Sequence, residues 1–439
     1  MKIVRSGPLR GNIKLSGDKS ISHRAILLAA IAEGESRIQN LLVAGVTKKM
    51  LTALSELGVE WRLDGSNLIV TGRGLDGLRS PGRSLDCGNS ATTMRMLAGV
   101  CSASGINVNL DGSPGLKTRP MSRIVNPLGE MGVIIQSQEP GKTAPLQIQG
   151  RRSDQSLQAI DYSSPISSAQ VKSCLLLAGL ATNGVIHYKE PRASRDHTER
   201  LLSRLGVNID RSEAKDGSVQ ITMDPRGCLP LPPLITTIPG DISSAAFLIV
   251  AALITPNSEI TIQEVGLNPT RTGLLEALLM MGADLEINNT GELNNEPRGD
   301  ITVRHSHLRG IHLPESLVVK MIDEIPIFTA AAAYANGKTL VSGAGELRVK
   351  ETDRIAAIQM EFNKLGVNLK ENKDGFSLQG HPTLQGGKVQ SHGDHRMAMS
   401  LAVAGLGAEK SVEIQNAEIT AESYPNFASD LRDLGAQVE

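Results

Sequence analysis

Aromatic residues are scarce in this chain of 439 residues: Phe, Trp and Tyr together make up 2%. A core of packed rings is excluded, so Ala, Leu, Ile, Val and Met must fill it, which a hydrophobic content of 40% allows. Net charge is nearly absent too, at −1. That argues against bulk electrostatic attraction, so no nucleic-acid and no membrane partner is expected, and any anion site must be a local cluster of cations. There are only four cysteines: Cys87, Cys101, Cys174 and Cys228. None forms a Cys-x-x-Cys pair, and the first three sit in or beside apolar helical runs, so buried reduced thiols are expected. No His/Cys cluster has zinc-ligand spacing, and His305-x-His307 reads as a surface strand pair, so no metal and no organic cofactor is expected. The longest apolar run, 245–254, falls short of the roughly 18 residues a spanning helix needs. The N-terminus lacks a signal-peptide apolar segment, which points to a soluble, cytoplasmic protein. The length suggests about two or three domains.

What the chain has in abundance is repetition. Six times a polar turn is followed by a helix-length run of small and apolar residues, then a strand-like stretch, then a second helix. The turns lie at Gly17-Asp18-Lys19-Ser20, Cys87-Gly88-Asn89-Ser90, Ser167-Ser168-Ala169-Gln170, Pro239-Gly240-Asp241, Asp323-Glu324 and Gly393-Asp394-His395. The second helices end on Leu57-Gly58-Val59, Met131-Gly132-Val133, Leu205-Gly206-Val207, Met281-Gly282-Ala283, Leu365-Gly366-Val367 and Leu434-Gly435-Ala436. These glycines recur at roughly 70 to 85 residues, and a fixed period dictates architecture.

In the first copy, Asp18 or Ser20 is placed to cap a helix. Residues 24–32 are apolar nearly all round and predict a buried helix. Gly34 is expected to end it in a left-handed conformation, and 37–43 reads as a strand. Residues 48–57 form an amphipathic helix with Leu51, Leu54 and Leu57 on one face; Gly58 stops it, and 59–63 alternates as a strand. Each copy is thus an α+β module. Six such modules could stack as a solenoid or close into two threefold lobes, and the length and even apolarity of the copies favour closure.

Four stretches put charge on otherwise apolar helices. Lys19 and Arg24 fall in the first turns of a buried helix, where the dipole already presents positive charge, so Lys19-Ser20-Ile21-Ser22-His23-Arg24 reads as an anion site. In Asn89-Ser90-Ala91-Thr92-Thr93-Met94-Arg95, small and hydroxyl residues let a ligand approach the backbone. The charged run 347–354 reads first as a solvated face, with a site as the alternative. In Gly393-Asp394-His395-Arg396, Arg396 faces the same dipole as Lys19. Asp323-Glu324 opens a buried helix, either as a general base or with Asp323 as a plain cap.

At these residues the chain resembles the 5-enolpyruvylshikimate-3-phosphate synthase family. The motifs 17–24, Leu85-Asp86-Cys87-Gly88-Asn89-Ser90 with Thr92-Thr93-Met94-Arg95, Arg119-Pro120-Met121, Ser167-Ser168-Ala169-Gln170-Val171-Lys172, 347–354 and 393–396 carry the resemblance over the whole chain. It implies a two-lobed α/β enolpyruvyl transferase fold of six βαβαββ-like repeats, three per lobe. The active site would lie in the interlobe cleft, with residues 1–17 plus 241–439 as one lobe and 18–240 as the other. The implied reaction transfers the enolpyruvyl group of phosphoenolpyruvate to the 5-hydroxyl of shikimate 3-phosphate, releasing phosphate, in the shikimate pathway to aromatic amino acids. By the same resemblance Lys19, Ser20, Arg24, Ser168, Ala169, Gln170, Arg195, Asp323 and Lys350 would hold shikimate 3-phosphate. Lys19, Asn89, Ala91, Arg119, Gln170, Arg354 and Arg396 would hold phosphoenolpyruvate. Asp323 would take the proton from the 5-hydroxyl, Glu351 would exchange the proton at the methylene carbon, and Lys19 would protonate or stabilise the transferring centre.

The charges agree with that assignment. The two substrates bring about −6, counting each phosphate near −2. Lys19, Arg24, Arg119, Arg195, Lys350, Arg354 and Arg396 oppose them, with Asp323 and Glu351 as the carboxylates. Near-cancellation needs both ligands, so closure on binding is expected. Two positions depart from the family pattern. Ala91 stands where many members have Gly, and its methyl should obstruct the longer inhibitor glyphosate more than phosphoenolpyruvate, which predicts a glyphosate-insensitive type. Glu422 stands where some members have a phosphoenolpyruvate-binding Lys. A monomer is expected. The nearest rival, UDP-N-acetylglucosamine enolpyruvyl transferase, normally carries a reactive Cys in the loop that is 111–119 here, and this loop has none. An RNA 3′-phosphate cyclase would need a more basic surface, and a non-enzymatic repeat scaffold gives no reason to bury Lys19, Arg24 and Arg396 at helix starts.

Overall fold

A computed structural model describes residues 1–139, 142–152 and 155–439. They fall into two compact units. Unit 1 comprises Met1–Asp18, Pro239–Glu292 and Pro297–Glu439; unit 2 comprises Lys19–Ile238 and Leu293–Glu296. The helices are α1 (Lys19–Ile31), α2 (Gly45–Glu56), α3 (Ala91–Ser104), α4 (Pro114–Lys117), α5 (Ser122–Glu130), α6 (Ala169–Gly179) and α7 (His197–Arg204). They continue with α8 (Ile242–Ile254), α9 (Gly273–Met280), α10 (Glu315–Lys320), α11 (Ile325–Ala333), α12 (Arg354–Lys364), α13 (His395–Gly405) and α14 (Phe427–Asp433).

The inner helices of unit 2 are α1, α3 and α6; those of unit 1 are α8, α11 and α13. Nearly every residue of these six is buried, because their sequences are apolar on all sides. Burial of each Leu or Ile side chain contributes about 1.5–3 kcal/mol, so these helices add substantially to stability. The few aromatics are unevenly spent: Phe247, Phe328, Phe362, Phe376 and Phe427 all lie in the core of unit 1.

The outer helices α2, α5, α7, α9, α12 and α14 end alike. The signature glycines have φ of +83° at Gly58, +87° at Gly132, +89° at Gly206, +88° at Gly282, +88° at Gly366 and +104° at Gly435. In each, the next residue's N–H closes back on the last turn: Val59 on Leu54, Val133 on Leu128, Val207 on Leu202, Ala283 on Leu278, Val367 on Phe362 and Ala436 on Leu431. This is the Schellman closure, and it requires the left-handed residue that glycine supplies without strain.

Among the described residues, six four-stranded sheets cover these helices. The complete pattern is seen in the third copy. Strand Asp161–Ser163 pairs in parallel with Ile186–Glu190, which pairs antiparallel with Val219–Asp224, itself paired with Asn208–Glu213. Three copies borrow a strand from a distant stretch. In unit 2, Ile235–Thr237 supplies the parallel partner of Glu33–Gln39. In unit 1, Arg10–Lys14 does so for Glu259–Gly266, and Lys2–Val4 completes the sheet of Val412–Gln415 and Gln437–Val438. Each unit therefore closes on itself rather than stacking open-ended.

Several local expectations need correction. Gly34 does not terminate α1; it lies inside strand Glu33–Gln39 at φ +102°, where a Cβ would come 3.1 Å from Pro233 Cγ. The helix stops at Ile31 and passes directly into that strand, which also ends earlier than residue 43. α2 begins at Gly45, three residues before the expected start. His305 and His307 follow strand Glu296–Arg304 rather than lying in it, their rings edge to face at 5.3 Å.

Candidate functional site

In unit 2 the polar turns bring together a cluster at the start of α1, α6 and α7. Arg24, one turn inside α1, is buried and hydrogen-bonded from each of its guanidinium nitrogens. Its Nε donates to Thr198 Oγ1 at 2.7 Å, Nη2 to Ser173 Oγ at 2.7 Å and Nη1 to the Ser20 carbonyl at 2.9 Å. Ser20 lies within the helix, and its hydroxyl accepts from Arg195 Nη1 at 3.3 Å. Ser168 caps α6 by accepting from the Val171 N–H, with Ala169 as the first helical residue. Lys19 opens α1 and is half-buried.

A second group in unit 2 surrounds α3. Ser90 caps it, accepting from the Thr93 N–H at 3.1 Å, and Ala91 is the buried first residue. Asn89 Oδ1 accepts from Ser113 Oγ at 3.0 Å. Gln170 joins α6 to α3: its Nε2 donates to Thr92 Oγ1 at 2.8 Å, and its Oε1 accepts from Arg95 Nη1. Arg95 Nη2 also holds the Pro120 carbonyl at 2.8 Å, beside buried Arg119. Arg95 was visible as part of a motif but had no role; the structure makes it the brace for Gln170 and the 119–121 turn.

In unit 1 the centre is Arg354, the first residue of α12. Its Nε donates to Asp394 Oδ2 at 2.6 Å, Nη1 to Asp323 Oδ1 at 3.3 Å and Nη2 to Glu351 Oε2 at 2.7 Å. Burial disfavours the charge on Arg354, but Asp394, Glu351 and Asp323 outweigh it and hold the guanidinium firmly protonated. Arg396 lies alongside, its Nη1 on the Asp323 carbonyl at 3.1 Å and its Nη2 3.6 Å from Asp323 Oδ2. Asp323 is thus a partner of two guanidiniums. It does not cap α11, whose N-cap position is Glu324, with no side-chain capping bond. The charged run is only partly a solvated face: Arg348 pairs with Asp353 and Glu371 at the surface, while Arg354 is 1% exposed. Lys350, half-buried, follows the 3-10 turn Gly345–Val349. Glu422 ends the 3-10 turn Ala417–Glu422, half-buried, two residues before buried Tyr424.

Two partners of this centre were not singled out from sequence. Asp394 caps α13 through the Arg396 N–H at 2.8 Å while binding Arg354. Arg271 joins Asp18 at 2.8 Å, Asp241 at 3.5 Å and Ser243 at 2.7 Å, and Ser243 in turn donates to Glu324. Arg271 precedes an outer helix, away from the inner-helix starts where a cation opposes the dipole. Cys87, Cys101 and Cys174 are buried free thiols and Cys228 is half-buried; burial pushes the Cys101 and Cys174 thiols up to about 12. Among the described residues no group of His, Cys, Asp and Glu is placed to hold a metal, and no helix is long and apolar enough to cross a membrane.

A solved structure of the enolpyruvyl transferase NikO from Streptomyces tendae matches with a TM-score of 0.78 at 19% identity, covering 100% of this chain and 98% of that one, so the fold is that of the enolpyruvyl transferases. The EPSP synthase structure from Acinetobacter baumannii matches with a TM-score of 0.86 at 38% identity, covering 100% of this chain and 98% of its own. A 3-phosphoshikimate 1-carboxyvinyltransferase from Coxiella burnetii is 46% identical over 438 residues, covering 99% of this chain and 97% of its own. The family model for EPSP synthase (3-phosphoshikimate 1-carboxyvinyltransferase) matches residues 3–431, and the chain belongs to that family.

Proposed function

We infer that this chain is a transferase that moves the carboxyvinyl group of phosphoenolpyruvate to the 5-hydroxyl of shikimate 3-phosphate and releases phosphate, a step of the shikimate pathway. The family match over residues 3–431 carries the conclusion. Both substrates are small polyanions, and the cations brought together within each unit suit them. No observation favours the sugar-nucleotide reaction, since loop 111–119 has no cysteine.

The residue roles extend that reading. The 5-oxygen of shikimate 3-phosphate bonds to C2 of phosphoenolpyruvate while C3 gains a proton, giving a tetrahedral adduct. Loss of that C3 proton and of phosphate from C2 then forms the product. Asp323 receives the hydroxyl proton; its carboxylate sits 3.3 Å from Arg354 and keeps partial solvent access. Glu351 exchanges the methylene proton, held 2.7 Å from the same guanidinium. One arginine orienting two carboxylates separates their tasks. Lys19 protonates or stabilises the reacting centre. Ser20, Arg24, Ser168, Ala169, Gln170, Arg195, Asp323 and Lys350 hold shikimate 3-phosphate; the Ser20–Arg195 contact supports a phosphate there. Lys19, Asn89, Ala91, Arg119, Gln170, Arg354 and Arg396 hold phosphoenolpyruvate. Ala91 is buried at the first position of α3, and the extra methyl it carries relative to Gly supports a glyphosate-insensitive type. It acts as a cytoplasmic monomer.

The test is phosphate release from phosphoenolpyruvate with shikimate 3-phosphate or UDP-N-acetylglucosamine as acceptor. Release with shikimate 3-phosphate alone is expected. Release with the sugar nucleotide, or with neither, overturns the assignment.

A further inference from the structure

Unit 2 contains a buried ionic group that the reaction scheme does not use. Lys172, on α6, is fully enclosed, with Nζ 3.0 Å from Glu190 Oε1 and 2.7 Å from Glu199 Oε1. Burial works against its charge, but Glu199 and Glu190 outweigh it, so the ammonium is retained. Buried ion pairs rarely repay their desolvation in stability alone, so a buried triad is better accounted for by what it positions.

The answer lies at Ser194. Glu190 Oε1 accepts the Ser194 N–H at 2.8 Å, and Glu190 Oε2 accepts the Ser194 hydroxyl at 2.6 Å. Lys172 Nζ donates to the Ser194 carbonyl at 3.3 Å. All three polar groups of one residue are thus gripped by the same pair, and the next residue is Arg195, which reaches Ser20 Oγ. Lys172 lies on the helix that begins Ser168-Ala169-Gln170, one turn from its start. The pair therefore ties the turn carrying Arg195 to the helix whose first residues are assigned to the same substrate.

We propose that the buried Lys172–Glu190 pair, clamping Ser194, is a positioning device that sets Arg195 for the phosphate of shikimate 3-phosphate. The proposal rests on the reading of Arg195 as a substrate contact. A loosened clamp leaves Arg195 charged but mobile, so binding of one substrate weakens while the chemistry, the other substrate's contacts and the fold persist.

The experiment is a double-mutant cycle on the whole enzyme, reading phosphate release while each substrate is titrated against saturating partner. Glu190→Gln keeps the size of the side chain but cannot accept from both Ser194 donors. It should raise the KM for shikimate 3-phosphate about tenfold, with the KM for phosphoenolpyruvate and kcat within about threefold of the parent. In the Arg195→Ala background the same change should add nothing, since a residue acting through Arg195 has no effect once Arg195 is gone. An equal rise in both backgrounds, or equal rises for both substrates, overturns the positioning role alone. An Arg195→Ala enzyme with an unchanged KM for shikimate 3-phosphate overturns the substrate assignment and the proposal with it. Should Glu190→Gln fail to fold, Ser194→Ala removes only the hydroxyl bond. It should raise that KM about threefold, again only when Arg195 is present.

Discussion

Asp394→Asn tests whether the Arg354 centre is organised as described. Asn can still cap α13 by accepting the Arg396 N–H, and Asp and Asn are near-equivalent caps, so that bond costs only a few tenths of a kcal/mol. What disappears is one of the three carboxylates neutralising a buried guanidinium, the one at 2.6 Å from Nε. Removing one member of a buried pair typically costs 3–5 kcal/mol; with Asp323 and Glu351 still in place, about 2–3 kcal/mol is expected. For a unit of this size that lowers Tm by about 5–10 °C. Arg354 should then turn towards Glu351 and Asp323, so kcat/KM for phosphoenolpyruvate should fall by roughly two orders of magnitude. Calorimetry gives the first number and phosphate release, titrating phosphoenolpyruvate, the second. A variant that melts within about 1 °C of the parent and keeps kcat/KM within about twofold would refute the reasoning.

Other substitutions probe separate claims. Ala91→Gly removes one methyl at the start of α3 and should tighten glyphosate inhibition by about 10–200-fold, the range one methyl group commands in a pocket; an unchanged inhibition constant in the phosphate-release assay counts against the steric account. Gly206→Ala puts a Cβ into open space at φ +89°, so only backbone strain is felt; it should cost about 1–2 kcal/mol by denaturant unfolding and leave activity intact. Burial opposes ionisation of Glu361, but Lys364, His392 and the Gln390 N–H outweigh it and hold the carboxyl below its ordinary range. That stability is present above the unfolded carboxyl pKa, about 4.3, and is lost as pH falls through the lower folded value. Glu361→Gln should therefore melt earlier than the parent at pH 7, with the gap closing on acidification; a gap that widens towards pH 3 contradicts the sign.

The sequence announced much of this molecule because its strongest signals are local. A glycine after an amphipathic helix specifies a Schellman closure whatever surrounds it, and six copies of that signal marked the repeat. Runs apolar on every side could only be inner helices. Lys19, Arg24 and Arg396 were noticeable because cations oppose the dipole at a buried helix start. The same logic was blind to Asp394's second task, to Arg271 and to the Lys172–Glu190 pair. Nothing within a few residues of any of them reveals the partner, which lies between 18 and 253 residues away in the chain.

Gly34 shows the limit in one residue: a glycine two positions past a helical run looks like a helix stop, and only its antiparallel pairing with Gly72 makes it a strand residue. The sequence by itself determined the helix pairs, the glycine stops of the outer helices, the buried character of the inner helices and the residues resembling a known transferase. Tertiary structure alone decided which strands complete which sheets, so that Lys2–Val4, Arg10–Lys14 and Ile235–Thr237 close copies far along the chain. It also decided which charges neutralise one another. Helix caps are settled by neighbours in sequence, whereas strand pairing and buried ion pairs are settled by neighbours in space.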